Sequence, residues 1–423
     1  MNDPLLGVMT PETSAVSGPK LERTHARAMA SMAVSLVWAS EQARHTDCLV
    51  VRKLNLWCDI LPGQLEADLM DKPVGHTASH HFEAGDLAPA YRDGDCLDVA
   101  AKAFNRHYRK CYIEPRGGRF YPKGFIAGVK GIYPEDLTPF RVVETHDQGL
   151  KVDLNPPLSG RELMLEARIL DIWEGREEHG GACSDIGELV TLNGPGMQAR
   201  WRDRPTDFWS DIPFVRIDPG QDADFYANPR LVQHLDATAL EQIEGLYRRL
   251  VPKGGRILDL MSSWDSHLPA DLAPAHVSGL GMNPQALEAN PLLTERLIHD
   301  LNLEPCLPFD AEAFDAVVCT VSVEYLTKPV EVFAEVQRVL RPGGRFIVTF
   351  SNRWFPPKVI KAWQDVHEFE RLGLVLEYFH QAGGYRGLET WSLRGLARPE
   401  DDKYADRMAD SDPVYAVWGE KTL

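Results

Sequence analysis

The chain has 423 residues, of which 44% are hydrophobic and 25% charged, and its formal net charge is −17. This length exceeds one ordinary core and favours two domains, while the composition excludes wholesale disorder and a fibrous repeat. The negative charge disfavours nucleic acid or an anionic membrane surface as the main partner.

The seven cysteines are odd in number and scattered, and no pair has the spacing of a zinc site or a redox dithiol. We therefore expect reduced thiols, no metal site and a cytoplasmic location. We expect no secretion signal, because the N-terminus lacks a basic region followed by an apolar core and a small-residue cleavage site. The most apolar early stretch, residues 28–39, is far shorter than the roughly 20 residues needed to span a bilayer.

The first two segments of the chain differ in amino-acid composition. Residues 1–20 are rich in Pro, Ser, Thr and Gly and predict a flexible tail. Good helix formers predominate in residues 21–47, up to Arg44 without Pro or Gly, and predict a helix.

From residue 48 to residue 174 the sequence has the hydrophobic pattern that is typical of an antiparallel β domain. Short, partly alternating apolar segments are separated by Gly, Pro and Asp turns. The predicted strands are 49–57, 95–104, 140–144, 150–154 and 163–173.

The end of this region, from Lys151 to Ile172, contains Asp153-Leu-Asn-Pro-Pro-Leu-Ser-Gly160. It resembles the final segment of FKBP-type prolyl isomerases that carry an insertion in the flap, and the resemblance implies an α+β domain with residues 122–148 in that insertion. Two positions depart from the family, because Pro156 replaces its His and Leu165 replaces an aromatic residue. Since these isomerases hold the prolyl ring in an aromatic cup, we expect a substrate-binding or docking module.

Residues 175–223 carry many charges, glycines and prolines and predict a linker, with one possible short strand at 189–192. Beyond it, short apolar runs alternate with helical segments, which predicts a doubly wound α/β sheet. The predicted strands are 256–260, 276–280, 316–320 and 345–350, and the predicted helices are 237–250, 284–288, 329–340 and 358–382.

Ligands of such a sheet bind beyond the carboxyl ends of its strands, and polar residues follow each apolar run here. Downstream stand Leu307-Pro-Phe309, Phe314-Asp-Ala-Val317 and a run from Glu335 to Arg341-Pro-Gly-Gly344. In this order the segments resemble the class I S-adenosylmethionine-dependent methyltransferases. The resemblance implies a Rossmann-like, seven-stranded methyltransferase sheet in residues 224–423, whose last strand, at 412–418, is antiparallel.

The same resemblance implies S-adenosylmethionine as cofactor and a set of residues that hold it. Asp259 and the turn after it would face the methionine part, and Asp300 would accept the adenine amine. The implied cofactor-binding residues are Asp259, Met261, Ser262, Ser263, Trp264, Met282, Asn283, Asp300, Leu301 and Thr320.

Two positions depart from the methyltransferase pattern. The turn from Met261 to Trp264 has none of the glycines that usually let the backbone approach the ligand. Gly281 stands where the family has an acid that grips the ribose hydroxyls, and Asn283 is the nearest substitute. These departures predict weaker cofactor binding, or a pocket that no longer binds the cofactor and remains only as a structural scaffold.

Methyl transfer from a sulfonium needs alignment, and a hydroxyl or amine acceptor also needs a base. His267, Glu324 and Tyr325 are the candidate catalytic residues. Tyr226, Arg230 and Arg353 are candidate substrate contacts, because an aromatic ring can pack on a cation and arginine can hold a carboxylate.

The leading hypothesis is an S-adenosylmethionine-dependent methyltransferase acting on a small molecule or a protein side chain, with the FKBP-like domain as its docking module. An alternative is a prolyl isomerase or chaperone with a non-catalytic Rossmann half. A third, supported only by the altered loops, is a non-enzymatic interaction protein. The sequence does not reveal the oligomeric state.

Overall fold

The computed structural model describes residues 18–108, 111–175 and 183–423, so most of the predicted N-terminal tail lies outside the described residues. Among these residues, the N-terminal half contains three short α-helices: α1 (Leu65–Leu69), α2 (Ile186–Thr191) and α3 (Asp222–Phe225). Its strands are β1 (Met29–Ala39), β2 (Arg44–Asn55), β3 (Thr77–Phe82), β4 (Cys96–Ala100), β5 (His107–Tyr108), β6 (Cys111–Tyr112), β7 (Phe120–Pro122), β8 (Pro139–His146), β9 (Gly149–Asp153) and β10 (Leu163–Trp173).

The C-terminal half alternates between strands and helices, as predicted. Its strands are β11 (Arg256–Leu260), β12 (His276–Gly281), β13 (Glu295–Ile298), β14 (Phe314–Thr320), β15 (Leu340–Phe350), β16 (Tyr385–Arg394) and β17 (Val414–Lys421). Its helices are α4 (Ala237–Leu250), α5 (Pro284–Ala289), α6 (Pro329–Val339), α7 (Lys361–Asp365) and α8 (Glu368–Ala382).

The C-terminal strands form a sheet in the order β13-β12-β11-β14-β15-β17-β16. The first five are parallel, and β17 is antiparallel to both of its neighbours. Helix α4 covers one face through Ile243 and Tyr247, and α6 and α8 cover the other through residues such as Phe333 and Phe379. This burial on both faces is what the continuous apolar runs predicted.

The sheet does not end at β16, which differs from the prediction of a seven-stranded sheet preceded by a separate domain. Strand β16 pairs in parallel with β2, and β2-β1-β10-β3 extend the sheet to eleven strands. Strands β4, β9, β8 and β7 form a second, antiparallel sheet that includes part of the predicted flap insertion. The two halves of the chain therefore share a backbone hydrogen-bond ladder.

The predicted helix at residues 21–47 is wrong, because residues 29–39 form β1. Alternate side chains of β1, including Met32, Val34 and Leu36, face the N-terminal core, while Ala33 packs against the C-terminal core. Strands β2 and β10 flank β1 on both sides. Small and apolar residues without Pro suit a helix locally, but burial on both faces of a central strand decides the outcome.

The predicted linker at residues 175–223 is also wrong for the residues described, since residues 176–182 lie outside them. Helix α2 starts at Ile186, capped by Asp185, and replaces the strand expected at 189–192. The Gln198 amide donates to the buried Asp47 carboxylate at 3.1 Å, and Arg200 pairs with Glu377 of α8 at 2.6 Å. This segment therefore contacts both halves of the chain, β2 through Gln198 and α8 through Arg200.

None of the described helices combines the length and apolar character that crossing a bilayer requires.

Candidate functional site

A cavity of about 370 Å³ lies beyond the carboxyl ends of β11, β12 and β14. Its size falls within the range typical of small-molecule sites. The residues predicted for cofactor, substrate and catalysis converge on it, with one exception. The predicted residues that line it are Tyr226, Arg230, Asp259, Met261, Ser262, Ser263, Trp264, His267, Met282, Asn283, Asp300, Leu301, Thr320, Tyr325 and Arg353.

Glu324 is the exception, because it lies beneath the cavity wall rather than in it. Its side chain is buried, and its two carboxyl oxygens have no hydrogen-bond partner of normal geometry among the described residues. Burial raises the pKa of Glu324 to about 8. The prediction of Glu324 as a catalytic residue is therefore not supported by its position.

The buried Glu324 carboxyl predicts a pH-dependent stability. Because its pKa is higher in the folded state than in the unfolded chain, its contribution to stability is fully present below about pH 4.5 and is lost as the pH rises through about 8. Glu324→Gln cannot ionise, so its free energy of unfolding relative to the parent should rise by roughly 2–4 kcal/mol between pH 5 and pH 9. Urea unfolding at the two pH values measures this difference.

The control for that experiment is Glu331→Gln, which changes an exposed glutamate on α6. The gap between this variant and the parent should stay constant with pH. A constant gap for Glu324→Gln as well would mean that the carboxyl is solvated in the folded protein.

The loop after β11 is held by the buried Asp259. Its Oδ2 accepts hydrogen bonds from the hydroxyls of Ser262, at 2.5 Å, and Ser266, at 2.6 Å. Burial raises the pKa of Asp259 to about 6. The Ser262 hydroxyl thus faces Asp259 and not the ligand, which corrects its predicted direction, whereas the Ser263 side chain is exposed at the cavity.

The structure explains why Gly281 replaces an acid at the end of β12. A Cβ atom at this position would lie 2.3 Å from the backbone oxygen of Ser262. The Ser262 N–H donates to the Leu280 carbonyl at 2.7 Å, so the glycine-free loop packs directly on the end of β12. No side chain fits in that space.

Asn283 does not substitute for the missing acid, contrary to the prediction. Its Oδ1 accepts from the Ala286 N–H and caps α5, and its amide donates to the carbonyls of Tyr226, at 2.8 Å, and Ala227, at 3.0 Å. Asn283 lines the cavity, but its polar atoms hold the preceding segment in place.

Asp300 keeps one oxygen available to a ligand. Its Oδ1 accepts from the N–H groups of Asn302, at 2.9 Å, and Leu303, at 3.3 Å. Its Oδ2 accepts no hydrogen bond from any described residue. The side chain of Leu301 is buried beside it. This pairs an acceptor with an apolar surface, as a purine ring with an exocyclic amine requires.

His267 lies beside a carboxylate. Its Nδ1 is 3.3 Å from Asp265 Oδ2, and its backbone N–H donates to Asp265 Oδ1 at 2.9 Å. Burial lowers the pKa of His267, so the ring is neutral at pH 7. The Asp265 carboxylate beside the ring can stabilise the protonated form, and the neutral ring carries the lone pair that a base needs.

Tyr325 is a hydrogen-bond donor and not a base. Its hydroxyl accepts from the Phe355 N–H at 2.8 Å, which leaves the phenolic proton free to donate. Burial and the neighbouring Glu324 raise the pKa of Tyr325 well above its ordinary value. Thr320 is committed elsewhere, since its hydroxyl lies 2.6 Å from the Tyr247 hydroxyl.

The mouth of the cavity is lined by cations resting on aromatic rings. The Arg230 guanidinium lies 4.4 Å from the Phe225 ring centre and 4.9 Å from that of Phe355. Arg353 lies 4.6 Å from the ring centre of Tyr404 and donates to Asp412.

Sequence reasoning missed several residues of this cavity. Lys403 and Tyr404 reach the mouth from the loop between β16 and β17, which carries no periodic pattern. Gln233 and Asp222 line the wall and are held by Asp265 and by Arg216. Their positions depend on tertiary contacts, so no local signal could have identified them.

Comparisons with known proteins point to one kind of domain. The family model described as "Methyltransferase domain" matches residues 264–348. The ubiquinone/menaquinone biosynthesis C-methyltransferase UbiE of Hahella chejuensis is 39% identical over 69 residues, which cover 16% of this chain and 27% of that relative. The UbiE of Erwinia tasmaniensis is 27% identical over 173 residues, covering 38% of this chain and 66% of the relative.

Two further comparisons cover a small part of the relative or show low similarity. The biotin biosynthesis bifunctional protein BioHC of Teredinibacter turnerae is 31% identical over 85 residues, covering 20% of this chain and 15% of the relative. A SAM-dependent methyltransferase structure from Aquifex aeolicus is 15% identical and superposes with a TM-score of 0.31, covering 47% of this chain and 97% of that one. The chain thus spans less than a third of the first curated relatives it matches.

Proposed function

We propose that this chain, whose C-terminal half carries an S-adenosylmethionine-dependent methyltransferase domain, transfers the methyl group of that cofactor to an acceptor bound at the mouth of the cavity. The observation that carries the proposal is the cavity at the carboxyl ends of the parallel strands, which is lined by polar groups from three strand-end loops.

The residues of the cavity fit the cofactor part by part. The free Oδ2 of Asp300 suits the adenine amine, and the apolar side chains of Leu301 and Met282 suit the ring. Asp259 offers a carboxylate to the ammonium group, and the exposed Ser263 side chain suits the methionine carboxylate. Since Gly281 has no side chain, we expect the ribose to be held through the backbone.

The bound cofactor would supply an electrophilic methyl group on a sulfonium. The chain's own task is then to align the acceptor and remove its proton. His267 Nε2 is the group suited to accept that proton, with Asp265 stabilising the protonated ring. Tyr325 can donate its phenolic hydrogen to the acceptor and hold it in place.

Asp300→Asn should weaken the binding of S-adenosylhomocysteine about tenfold or more, because a charged acceptor for the adenine amine is replaced by a neutral amide. The Oδ1 contacts to the turn can persist in this variant, so its free energy of unfolding should hardly change. Isothermal titration measures the affinity, with the exposed Asp310→Asn as control. Equal affinities for both variants would exclude Asp300 from the adenine site.

The N-terminal half is proposed to serve as a substrate-binding or docking module. It is joined to the methyltransferase half by the β2–β16 ladder and by the buried Arg119–Glu370 ion pair. A large groove between the halves is lined by aromatic residues such as Tyr112 and Phe125. The described residues that line the cavity all lie between Asp222 and Tyr404, which favours docking beside the cavity.

The activity can be tested with S-adenosylmethionine that carries a deuterated methyl group and a small-molecule extract of the cells that produce the protein. We expect S-adenosylhomocysteine to form together with a product that has gained the labelled methyl group. The Asp300→Asn variant should form less of both at limiting cofactor. Formation no faster than in buffer would contradict the proposed activity.

A further inference from the structure

We propose that the acceptor is a small aromatic molecule that carries a carboxylate or phosphate, and that Arg230 and Lys403 bind this anionic group at the cavity mouth. The inference rests on the proposed function and names the substrate class of the same site. The relevant residues lie on three segments: 226–234, 353–355 and 403–404.

Neither Arg230 nor Lys403 forms an ion pair with a residue that the structure describes. The only hydrogen bond of the Arg230 guanidinium to a described residue is a long one, 3.4 Å, to the Phe225 carbonyl. The contact of the Lys403 ammonium is with the Tyr404 ring, 5.1 Å from its centre. Arg353, in contrast, is paired with Asp412 at 2.9 Å. In a chain of net charge −17, two unpaired cations at one cavity mouth indicate a bound anion.

The charges of Arg230 and Lys403 both act on the space beside His234. His234 packs edge-on against Phe355, with ring centres 5.0 Å apart, and Arg230 rests on that same ring. Burial, followed by the charges of Lys403 and Arg230, lowers the pKa of His234. The positive field of both side chains therefore reaches the area beside Phe355.

The carboxylates that line the cavity form no ion pair with Arg230 or Lys403. Asp259 and Asp300 follow β11 and β13 at the proposed cofactor site, whereas Asp265 Oδ2 accepts from the Gln233 amide at 2.7 Å. Asp222 is neutralised by Arg216, with contacts of 2.8 Å to both carboxylate oxygens. Carboxylates at the strand ends favour a cationic cofactor there, and the unpaired Arg230 and Lys403 favour an anionic acceptor at the mouth. The rings of Tyr226, Phe355 and Tyr404 provide flat walls for an aromatic acceptor.

The test is isothermal titration of the full chain with benzoate, phenyl phosphate and the uncharged benzamide, in the presence and absence of S-adenosylhomocysteine. We expect at least one anion to bind about tenfold or more tightly than benzamide. Whichever anion binds more tightly identifies the group as carboxylate or phosphate. Arg230→Gln and Lys403→Gln should each weaken that binding about tenfold, and Lys361→Gln, a change of a surface lysine, should not.

Several results would overturn the inference. These are equal binding of benzamide, no binding of either anion, or anion binding that neither variant weakens. An equal loss of S-adenosylhomocysteine affinity in Arg230→Gln would assign Arg230 to the cofactor instead. Failure of the parent to bind S-adenosylhomocysteine would contradict the proposed function separately, since the titrations without it still report on the anion site.

Discussion

Gly281→Ala is expected to lower the free energy of unfolding by about 3 kcal/mol and to weaken the binding of S-adenosylhomocysteine more than tenfold. The added Cβ would lie 2.3 Å from the Ser262 backbone oxygen and 3.1 Å from a Leu287 methyl group. A flexible side chain can move aside, but the Ser262 carbonyl belongs to the loop that lines the cavity. The loop must therefore shift, and both stability and binding suffer. Urea unfolding and isothermal titration measure the two effects.

Gly94→Ala is the matched control, because nothing lies within 4 Å of a Cβ added at that position. This variant should retain the parent's affinity and stay within about 0.5 kcal/mol of its stability. If Gly281→Ala behaved like Gly94→Ala, the close packing of the loop on β12 would be refuted, along with our explanation for the missing acid.

Lys358→Met is expected to cost about 3 kcal/mol of stability, because it removes a buried charge from a network of carboxylates. The Lys358 side chain is fully buried, and its Nζ lies 2.9 Å from Asp218 and 3.2 Å from Asp222. It also donates to the Gly220 carbonyl at 2.9 Å. Methionine fills a similar volume, so the loss reflects the missing charge and hydrogen bonds rather than a cavity.

The Lys358 network also supports the wall of the cavity. Asp222 accepts from the Asn302 amide at 2.8 Å, and the same amide donates to the Tyr325 carbonyl at 3.0 Å. We therefore expect Lys358→Met to reduce cofactor affinity as well. Lys361→Met is the control, since Lys361 forms a surface pair with Asp365 and its loss should cost less than about 1 kcal/mol. Equal losses in the two variants would show that Lys358 is not a buried anchor.

The strand ends of the C-terminal half could be predicted from sequence because the signal is local. A short apolar run followed by a polar turn marks the point where a buried parallel strand leaves the sheet. The predicted residues after β11, β12 and β14 consequently line one cavity. The prediction for Glu324 is the exception, because its side chain is buried outside the cavity lining.

Hydrogen-bond partners could not be predicted in the same way. The Ser262 hydroxyl and the Asn283 amide have the right chemistry for a ligand, but Asp259 and the Tyr226 carbonyl engage them first. Such competition depends on residues brought together by folding. The same holds for Lys403, whose loop has no pattern that relates it to the strand ends.

The N-terminal half was harder to predict, since its strands take their identity from neighbours distant in sequence. The local sequence of residues 29–39 favours a helix, but pairing with β2 and β10 on both sides makes these residues a strand. Likewise, no local feature of β2 indicates that it would pair with β16. The FKBP-like character and docking role of this half stay predictions.

The central claim is that the cavity holds an adenosyl ligand, and titration of the full chain with S-adenosylhomocysteine by isothermal calorimetry tests it most directly. The account predicts saturable binding of one ligand per chain that weakens about tenfold or more in Asp300→Asn and hardly changes in Asp310→Asn. Absence of binding at millimolar ligand would contradict it.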